Sequence, residues 1–272
     1  MIRAAVLGAD VSKSRSPAIH EAAYRALGLS GEYGRVSTDA RRFGGEVARL
    51  RREGFRYLNV TIPHKLRAAS LADARGPEVR VSHAANTLIF ESGRIRAENT
   101  DGAGLVAALA DLGFVARGRV VVMVGAGGAA AGGVEALTRA GAHVWLLARR
   151  PRAGTELAAR LTGIQRRRVT VGSWERDLEP ALAGAAALVS AVPALAWEGP
   201  ERQRGLSTLA EDTVVLEMAY GAETPLARAV HPRVNRYADG LSMLVHQAAR
   251  AVELATGRSP PIAPMLRAAR RG

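Results

Sequence analysis

The sequence predicts an α/β protein of two domains, and three observations carry that prediction. Short β-like runs alternate with helical stretches along most of the chain. One apolar run, Val120-Val121-Val122-Met123-Val124, leads at once into Gly125-Ala126-Gly127-Gly128-Ala129-Ala130 and then into a helical segment. The length, 272 residues, suffices for two units of ordinary size.

Taken in order, residues 2–7 read as a buried strand and 8–16 as a loop. Residues 17–27 read as a helix with Ser16 at its N-cap, Pro17 in the first position and Gly28 at its end. Residues 33–37 and 57–60 read as strands around a helix over 43–52. Strands over 86–90 and 94–98 flank Ser92-Gly93, a hairpin turn. Asp101 opens a helix over 102–112. After the glycine-rich turn, a helix runs to Ala140-Gly141, and strands follow over 143–148, 186–192 and 213–218. The last long helix spans 240–256, capped by Asp239 and stopped by Gly257 and Pro260-Pro261. Its apolar stripe is Leu241, Leu244, Val245, Ala248, Val252 and Ala255, and Gln247 lies about a third of a turn away.

Composition narrows the function classes. Hydrophobic residues make up 48% of the chain but aromatics only 4%, so Ala, Val and Leu must fill the core. The chain has no cysteine, which rules out disulfides and thiolate metal sites and suits a reducing, cytoplasmic setting. No apolar stretch reaches 18 residues, so no membrane span is expected. The net charge of +13 is spread over scattered arginines without a nucleic-acid-binding motif or aromatic stacking residues. A small anionic substrate therefore fits that field better than a nucleic acid does.

Two motifs carry chemistry. Lysine occurs only twice, at Lys13 and Lys65, in a chain that otherwise writes its cations as arginine. A guanidinium stays charged at any working pH, whereas an ammonium can exchange its proton. Lys65 ends the run Asn59-Val60-Thr61-Ile62-Pro63-His64-Lys65. The second motif, with Gly125, Gly127 and Ala130, matches G-x-G-x-x-A between a strand and a helix. There Gly125 permits a tight turn, Gly127 admits a pyrophosphate, Ala130 allows close helix packing, and the helix N-terminus offers N–H donors. About 20 residues on, Arg149-Arg150 stand where an NAD site would carry an acid for the ribose. Two cations favour a 2′-phosphate, and hence NADP over NAD.

The ordered motifs resemble those of the shikimate dehydrogenase family over nearly the whole length. They are Ser14-Arg15-Ser16-Pro17 with His20, Asn59 to Lys65, Ala85-Asn86-Thr87, Asn99-Thr100-Asp101-Gly102, the glycine turn, Thr224-Pro225-Leu226, and Asp239-Gly240-Leu241 with Met243-Leu244 and Gln247. The resemblance implies a substrate domain over 1–102, completed by C-terminal helices over 239–272. It also implies a Rossmann-type NADP-binding domain over 103–238. It implies reversible hydride transfer between NADPH and 3-dehydroshikimate, in the cytoplasm, within aromatic amino-acid biosynthesis, by a monomer or homodimer.

Site roles follow from the same resemblance. Lys65 and Asp101 match its catalytic pair. Ser14, Ser16, Thr61, Asn86, Tyr220 and Gln247 match its substrate contacts. Gly125, Ala126, Gly127, Gly128, Ala129, Ala130, Arg149, Arg150 and Gly240 fall on its cofactor side. The residue types agree with the chemistry: an ammonium stabilises and protonates a developing alkoxide, and a neighbouring carboxylate positions the amine and favours its charged form. The departures lie on the cofactor side. Ala148 and Arg150 replace the usual Asn and Thr, Ser190-Ala191-Val192-Pro193 replaces Asn-Ala-Thr-x-x-Gly, and Gly221-Ala222 replace a stretch that includes a Pro. Quinate or an amino-substituted shikimate as substrate, and a non-catalytic NADP-responsive binding protein, stay open beside the main reading.

Overall fold

The structure, a computed structural model, describes residues 1–271. The chain divides into two compact units, one made of residues 1–104 and the segment from Leu244 onward, the other of Leu105–Met243. Both are α/β.

The first unit runs β1 (Ile2–Gly8), α1 (Ser16–Ala26), β2 (Gly31–Ser37), α2 (Phe43–Arg52), β3 (Tyr57–Val60), α3 (Lys65–Ser70), β4 (Ala74–Arg75), α4 (Pro77–Ser82), β5 (Thr87–Glu91), β6 (Arg94–Glu98) and the start of α5 (Asp101–Asp111). Its six-stranded sheet has the order β2-β1-β3-β5-β6-β4. β1 pairs in parallel with β2 and β3, while β5 is antiparallel to both β3 and β6. The β5–β6 turn is the expected hairpin, with positive φ at Ser92 and Gly93. Sequence reading did not foresee α3, β4 and α4, because each is short and gains its order from packing. It placed Ser16 at an N-cap. The structure makes Arg15 the cap residue and Ser16 the first helical residue, and the Ser14 hydroxyl accepts the Ser16 N–H at 3.3 Å.

Strand alternation gives the first sheet two different faces. Ala5, Leu7, Leu58, Val60 and Leu88 point into an apolar cluster with Phe43, Val47 and Leu50 of α2, Ala68 and Ala69 of α3, and Val79 of α4. The opposite face is buried yet polar. It carries Tyr33 and Tyr57, aligned across Ala4 of β1, and in the next row Asn59 paired with Thr87. From α1, His20 Nδ1 lies 2.7 Å from the Tyr57 hydroxyl, Tyr24 lies 2.6 Å from the same hydroxyl, and the His20 ring stacks on Tyr33 at 4.1 Å.

The second unit runs through the rest of α5, β7 (Val120–Val124), α6 (Gly128–Arg139), β8 (His143–Ala148), α7 (Pro151–Ala158), α8 (Gly163–Arg167), β9 (Val169–Ser173), α9 (Trp174–Leu182), β10 (Ala187–Ser190), α10 (Pro200–Arg204), β11 (Val214–Glu217), α11 (Pro225–Val230) and β12 (Arg236–Ala238). Its sheet is wholly parallel, ordered β12-β11-β10-β7-β8-β9. The strands are continuous apolar runs because both faces are covered. On one face Val122, Val124, Leu188 and Val215 meet Trp174, Trp197, Leu178 and Leu226. The strand expected over 186–192 stops at Ser190, before the Pro193 that lacks an N–H. The chain then enters α12 (Leu241–Thr256) and α13 (Ile262–Arg271). Asp239 caps α12 by accepting the Leu241 N–H at 3.1 Å, and Gly257, at φ +72°, ends it.

Burial without a charge partner lowers the His20 pKa to about 3. The folded imidazole therefore stays neutral where the unfolded one, near 6.5, takes up a proton. Stability is fully present above pH 6.5 and is lost as pH falls toward 3, by about 1.4 kcal/mol per pH unit from this group. Thermal unfolding followed from pH 7 to pH 4 is expected to show a flatter pH dependence in His20→Asn than in the parent chain.

Candidate active site

The first unit assembles one compact group of functional side chains from four separate segments. Lys65 is the first residue of α3, after the short loop that follows β3, and its side chain is only 14% exposed. By contrast Lys13 is exposed. Asp101 begins α5, with two residues between it and the end of β6, so both residues stand at the start of a helix that follows a strand. Lys65 Nζ donates to Asp101 Oδ2 at 2.6 Å, and the Asp101 side chain is 8% exposed. A charge-assisted contact this short and this sheltered from water is screened less by solvent and salt than an exposed ion pair.

Asn86 lies one residue before β5 and joins the group through its amide. Its Nδ2 donates to Asp101 Oδ1 at 2.8 Å and lies within 2.9 Å of Thr100 Oγ1 and 3.2 Å of Gln247 Oε1. Its Oδ1 accepts the Thr100 backbone N–H at 2.9 Å. Gln247 on α12 is 8% exposed, buried by this contact despite its place off the apolar stripe, and its Nε2 donates to Leu244 O. The structure thus brings Lys65, Asp101, Asn86 and Gln247 into one hydrogen-bonded cluster.

Ser14, Ser16 and Thr61 have no hydrogen bond to that cluster among the described residues. Ser14 carries a backbone carbonyl held by Arg35 at 2.6 and 3.1 Å. Thr61 follows β3 and packs over Gly8. A Cβ on Gly8 would meet Thr61 Cγ2 at 2.4 Å and Val11 Cγ1 at 2.9 Å, so glycine is required there to let the β1 loop approach.

In the second unit, β7 and β10 are neighbours whose chains leave to opposite sides, the switch point at which open α/β sheets take ligands. Gly125 follows β7 at φ +117°, and a Cβ there would sit 2.9 Å from Ala191 O beyond β10. Gly127 is the N-cap of α6 with no side-chain cap, and a Cβ on it would meet nothing within 4 Å. Gly127 is exposed at the start of α6, and Ala130 three residues on is fully buried. These are the features an anionic pyrophosphate needs. Arg149 and Arg150, past the end of β8, are exposed and have no ion-pair partner among the described residues. The dinucleotide fits this donor set. Ser190, in the altered loop, has its hydroxyl taken by the buried Trp197 indole N–H at 2.9 Å.

Gly240 has a structural demand of its own: a Cβ there would lie 2.1 Å from Met218 O, and its N–H donates to Ala219 O. Tyr220, two residues on from Met218, is 36% exposed, so it is not a core side chain. Sequence reading passed over Glu217. It is fully buried at the end of β11, where its Oε2 accepts from Thr224 Oγ1 at 2.5 Å and Tyr237 Oη at 3.2 Å, and burial raises its pKa. The Thr224-Pro225-Leu226 motif was the available signal. Thr224 caps α11 through the Ala227 N–H while donating to Glu217.

Fold and site together define a two-unit α/β protein with a dinucleotide-type turn in one unit and a sheltered ammonium–carboxylate pair in the other. Comparison with known proteins then gives the family. The shikimate dehydrogenase substrate binding domain pattern matches residues 6–88, and the shikimate 5′-dehydrogenase C-terminal domain pattern matches residues 240–270. A shikimate dehydrogenase (NADP(+)) of Methylobacillus flagellatus is 37% identical, covering 99% of each chain. The Thermus thermophilus shikimate 5-dehydrogenase in complex with NADP(H) and shikimate is 32% identical with a TM-score of 0.86, covering 100% of this chain and 99% of that one. The Mycobacterium tuberculosis shikimate dehydrogenase is 31% identical with a TM-score of 0.85 over 100% of both. The chain belongs to the shikimate dehydrogenase family.

Gly240→Ala drives a methyl into backbone that cannot move aside. It is expected to cost about 2 kcal/mol or more of stability, read by denaturant unfolding. Gly127→Ala, with open space around it, is expected to leave the unfolding midpoint unchanged.

Proposed function

We propose that this chain catalyses the reversible, NADP-dependent reduction of 3-dehydroshikimate to shikimate, with Lys65 as general acid/base paired with Asp101. The observation that carries the reading is the 2.6 Å contact of Lys65 Nζ with Asp101 Oδ2, whose second oxygen is held by Asn86. The relatives' names support the substrate and the cofactor.

When bound, NADPH would supply the hydride for the carbonyl carbon. This chain's residues manage the oxygen and the ring. As the carbonyl becomes an alcohol, negative charge develops on oxygen, and an ammonium placed against it both stabilises that charge and gives up a proton. Asp101 holds the Lys65 amine in one orientation, which spares the entropy of ordering a four-carbon chain during reaction. Asn86 and Gln247 carry amides suited to vicinal ring hydroxyls, which would take the place of the 3.2 Å contact between Asn86 Nδ2 and Gln247 Oε1. Ser14 and Ser16, near the N-terminus of α1, supply neutral hydrogen bonds for a carboxylate, with Thr61 and Tyr220 as further contacts. The N–H groups after Gly125, Ala126, Gly127, Gly128, Ala129 and Ala130 would hold the pyrophosphate, and Arg149 and Arg150 the 2′-phosphate. Gly240 lies on the cofactor side. The substrate is a small anion, the protein acts in the cytoplasm in aromatic amino-acid biosynthesis, and its oligomeric state is monomer or homodimer.

Initial rates of the purified protein with shikimate or quinate, each with NADP or NAD, test the assignment. Shikimate with NADP is expected to give the highest kcat/KM, and a faster reaction with quinate or with NAD reassigns substrate or cofactor. Lys65→Ala is expected to lower kcat by about 100-fold or more with the fold intact. Asp101→Asn, which keeps shape and removes charge, is expected to lower kcat strongly; a mere rise in KM moves Asp101 to a binding role. Gly127→Ala is expected to raise KM for NADP several-fold without changing KM for shikimate.

A further inference from the structure

The Asn86 amide is held on two sides, and the second side leads away from the site into the buried polar face of the first sheet. Besides the Thr100 N–H, Asn86 Oδ1 accepts the Thr87 hydroxyl at 3.0 Å. Thr87 Oγ1 in turn accepts from Asn59 Nδ2 at 3.0 Å, and Asn59 Nδ2 also reaches Asn86 O at 3.4 Å. Asn59 Oδ1 accepts the Tyr33 hydroxyl at 2.7 Å. Asn59 and Thr87 are direct cross-strand partners in the β3–β5 ladder, which is why their side chains meet. Every member is buried: Tyr33 is 5% exposed, Asn59 6%, Thr87 0% and Asn86 3%.

The hydrogen bonds point one way. A backbone N–H can only donate, so the Thr100 N–H fixes which end of the Asn86 amide is oxygen. The Thr87 hydroxyl must then donate to that oxygen, and its lone pair must receive Asn59 Nδ2–H. This leaves Asn59 Oδ1 facing Tyr33, which donates. The result is a directed chain, Tyr33 to Asn59 to Thr87 to Asn86 to Asp101, with Lys65 donating to Asp101 from the other side. Aligned bonds polarise one another in a buried, low-dielectric setting. The Asn59 amide is fully engaged by protein groups and is not free to meet a ligand.

We propose that Thr87 and Tyr33 are positioning residues for the reaction: through Asn59 and Asn86 they orient the carboxylate of Asp101 that holds the Lys65 amine. This rests on the proposed roles of Lys65 and Asp101. Neither residue touches the Lys65–Asp101 pair directly. Each acts through the next donor along the chain, and the effect reaches the reacting groups as the angle and strength of one N–H donated to Asp101 Oδ1.

The test compares Thr87→Val, Thr87→Ser and Tyr33→Phe with the parent chain for kcat, both KM values and the unfolding midpoint. Thr87→Val keeps the shape and removes the hydroxyl. It is expected to lower kcat about tenfold, with KM for NADP changed less than about twofold. Thr87→Ser restores the hydroxyl but loses a buried methyl, so it is expected to recover kcat to within about threefold while its unfolding midpoint stays lowered. Tyr33→Phe, at the far end, is expected to lower kcat in the same direction by a smaller factor. A parent-like kcat in Thr87→Val overturns the proposal. So does a Thr87→Ser variant as slow as Thr87→Val, since packing alone would then explain the loss. Full turnover in Lys65→Ala would instead overturn the acid/base role itself, whatever Thr87→Val does, so the two failures are separable.

Discussion

One buried amide, that of Asn86, ties together the segments on which the site depends. It joins the end of the β3–β5 pairing to the N-terminus of α5 through Thr100 and Asp101, and to α12 through Gln247. These segments lie up to 161 positions apart in sequence. Each of the amide's donors and acceptors is used, and leaving such a group unsatisfied in a dry interior costs more than a made bond gains. The ammonium–carboxylate pair is therefore held by a lattice with one arrangement of donors and acceptors, and it needs no rigid side chain of its own.

The same economy explains the first sheet's unequal faces. The face toward α2, α3 and α4 is aliphatic and supplies the bulk of hydrophobic stabilisation, whereas the face toward α1 trades aliphatic packing for aromatic rings and hydrogen bonds. Polar groups on that face would be a liability if any lacked a partner. Most find one, and the His20 imidazole avoids the larger cost by staying uncharged. The second unit instead gathers buried polar groups such as Glu217 and Thr224 near the end of β11, where Tyr237 also donates to Glu217. Its parallel strands are sandwiched between apolar faces, and its chemistry is confined to the loops beyond the strand ends, where Gly125 and Gly127 keep the backbone low and the helix end open.

The fold class was legible in the sequence because its signals are local: β-branched runs, glycines at strand ends, and caps such as Asp239 before α12. The α2, β3, β6 and β8 spans read from sequence coincide with those in the structure. What escaped notice depended on distant partners. Short α3 and α4 have weak intrinsic signals and form because Ala68, Ala69 and Val79 cover the sheet. Ser16 carries the residue type of an N-cap, yet the chain enters α1 one residue earlier, since Ser14 can accept the Ser16 N–H. The Lys65–Asp101 contact was suggested by motif resemblance and by the scarcity of lysine; periodicity gives no hint of it. Thr87 stood inside the Ala85-Asn86-Thr87 motif without a role of its own, and Tyr33 gave no chemical signal, because a tyrosine and a threonine in strands look like ordinary β-formers until the folded sheet places their hydroxyls beside Asn59.

The proposed chemistry requires Lys65 and Asp101 to act as one unit. A double-mutant cycle on kcat, with Lys65→Ala, Asp101→Asn and the two combined, measures this directly. Residues that act together lose their shared contribution once. The double variant is therefore predicted to be about as slow as the slower single variant. Losses that multiply in the double variant would show two independent contributions and contradict the pairing.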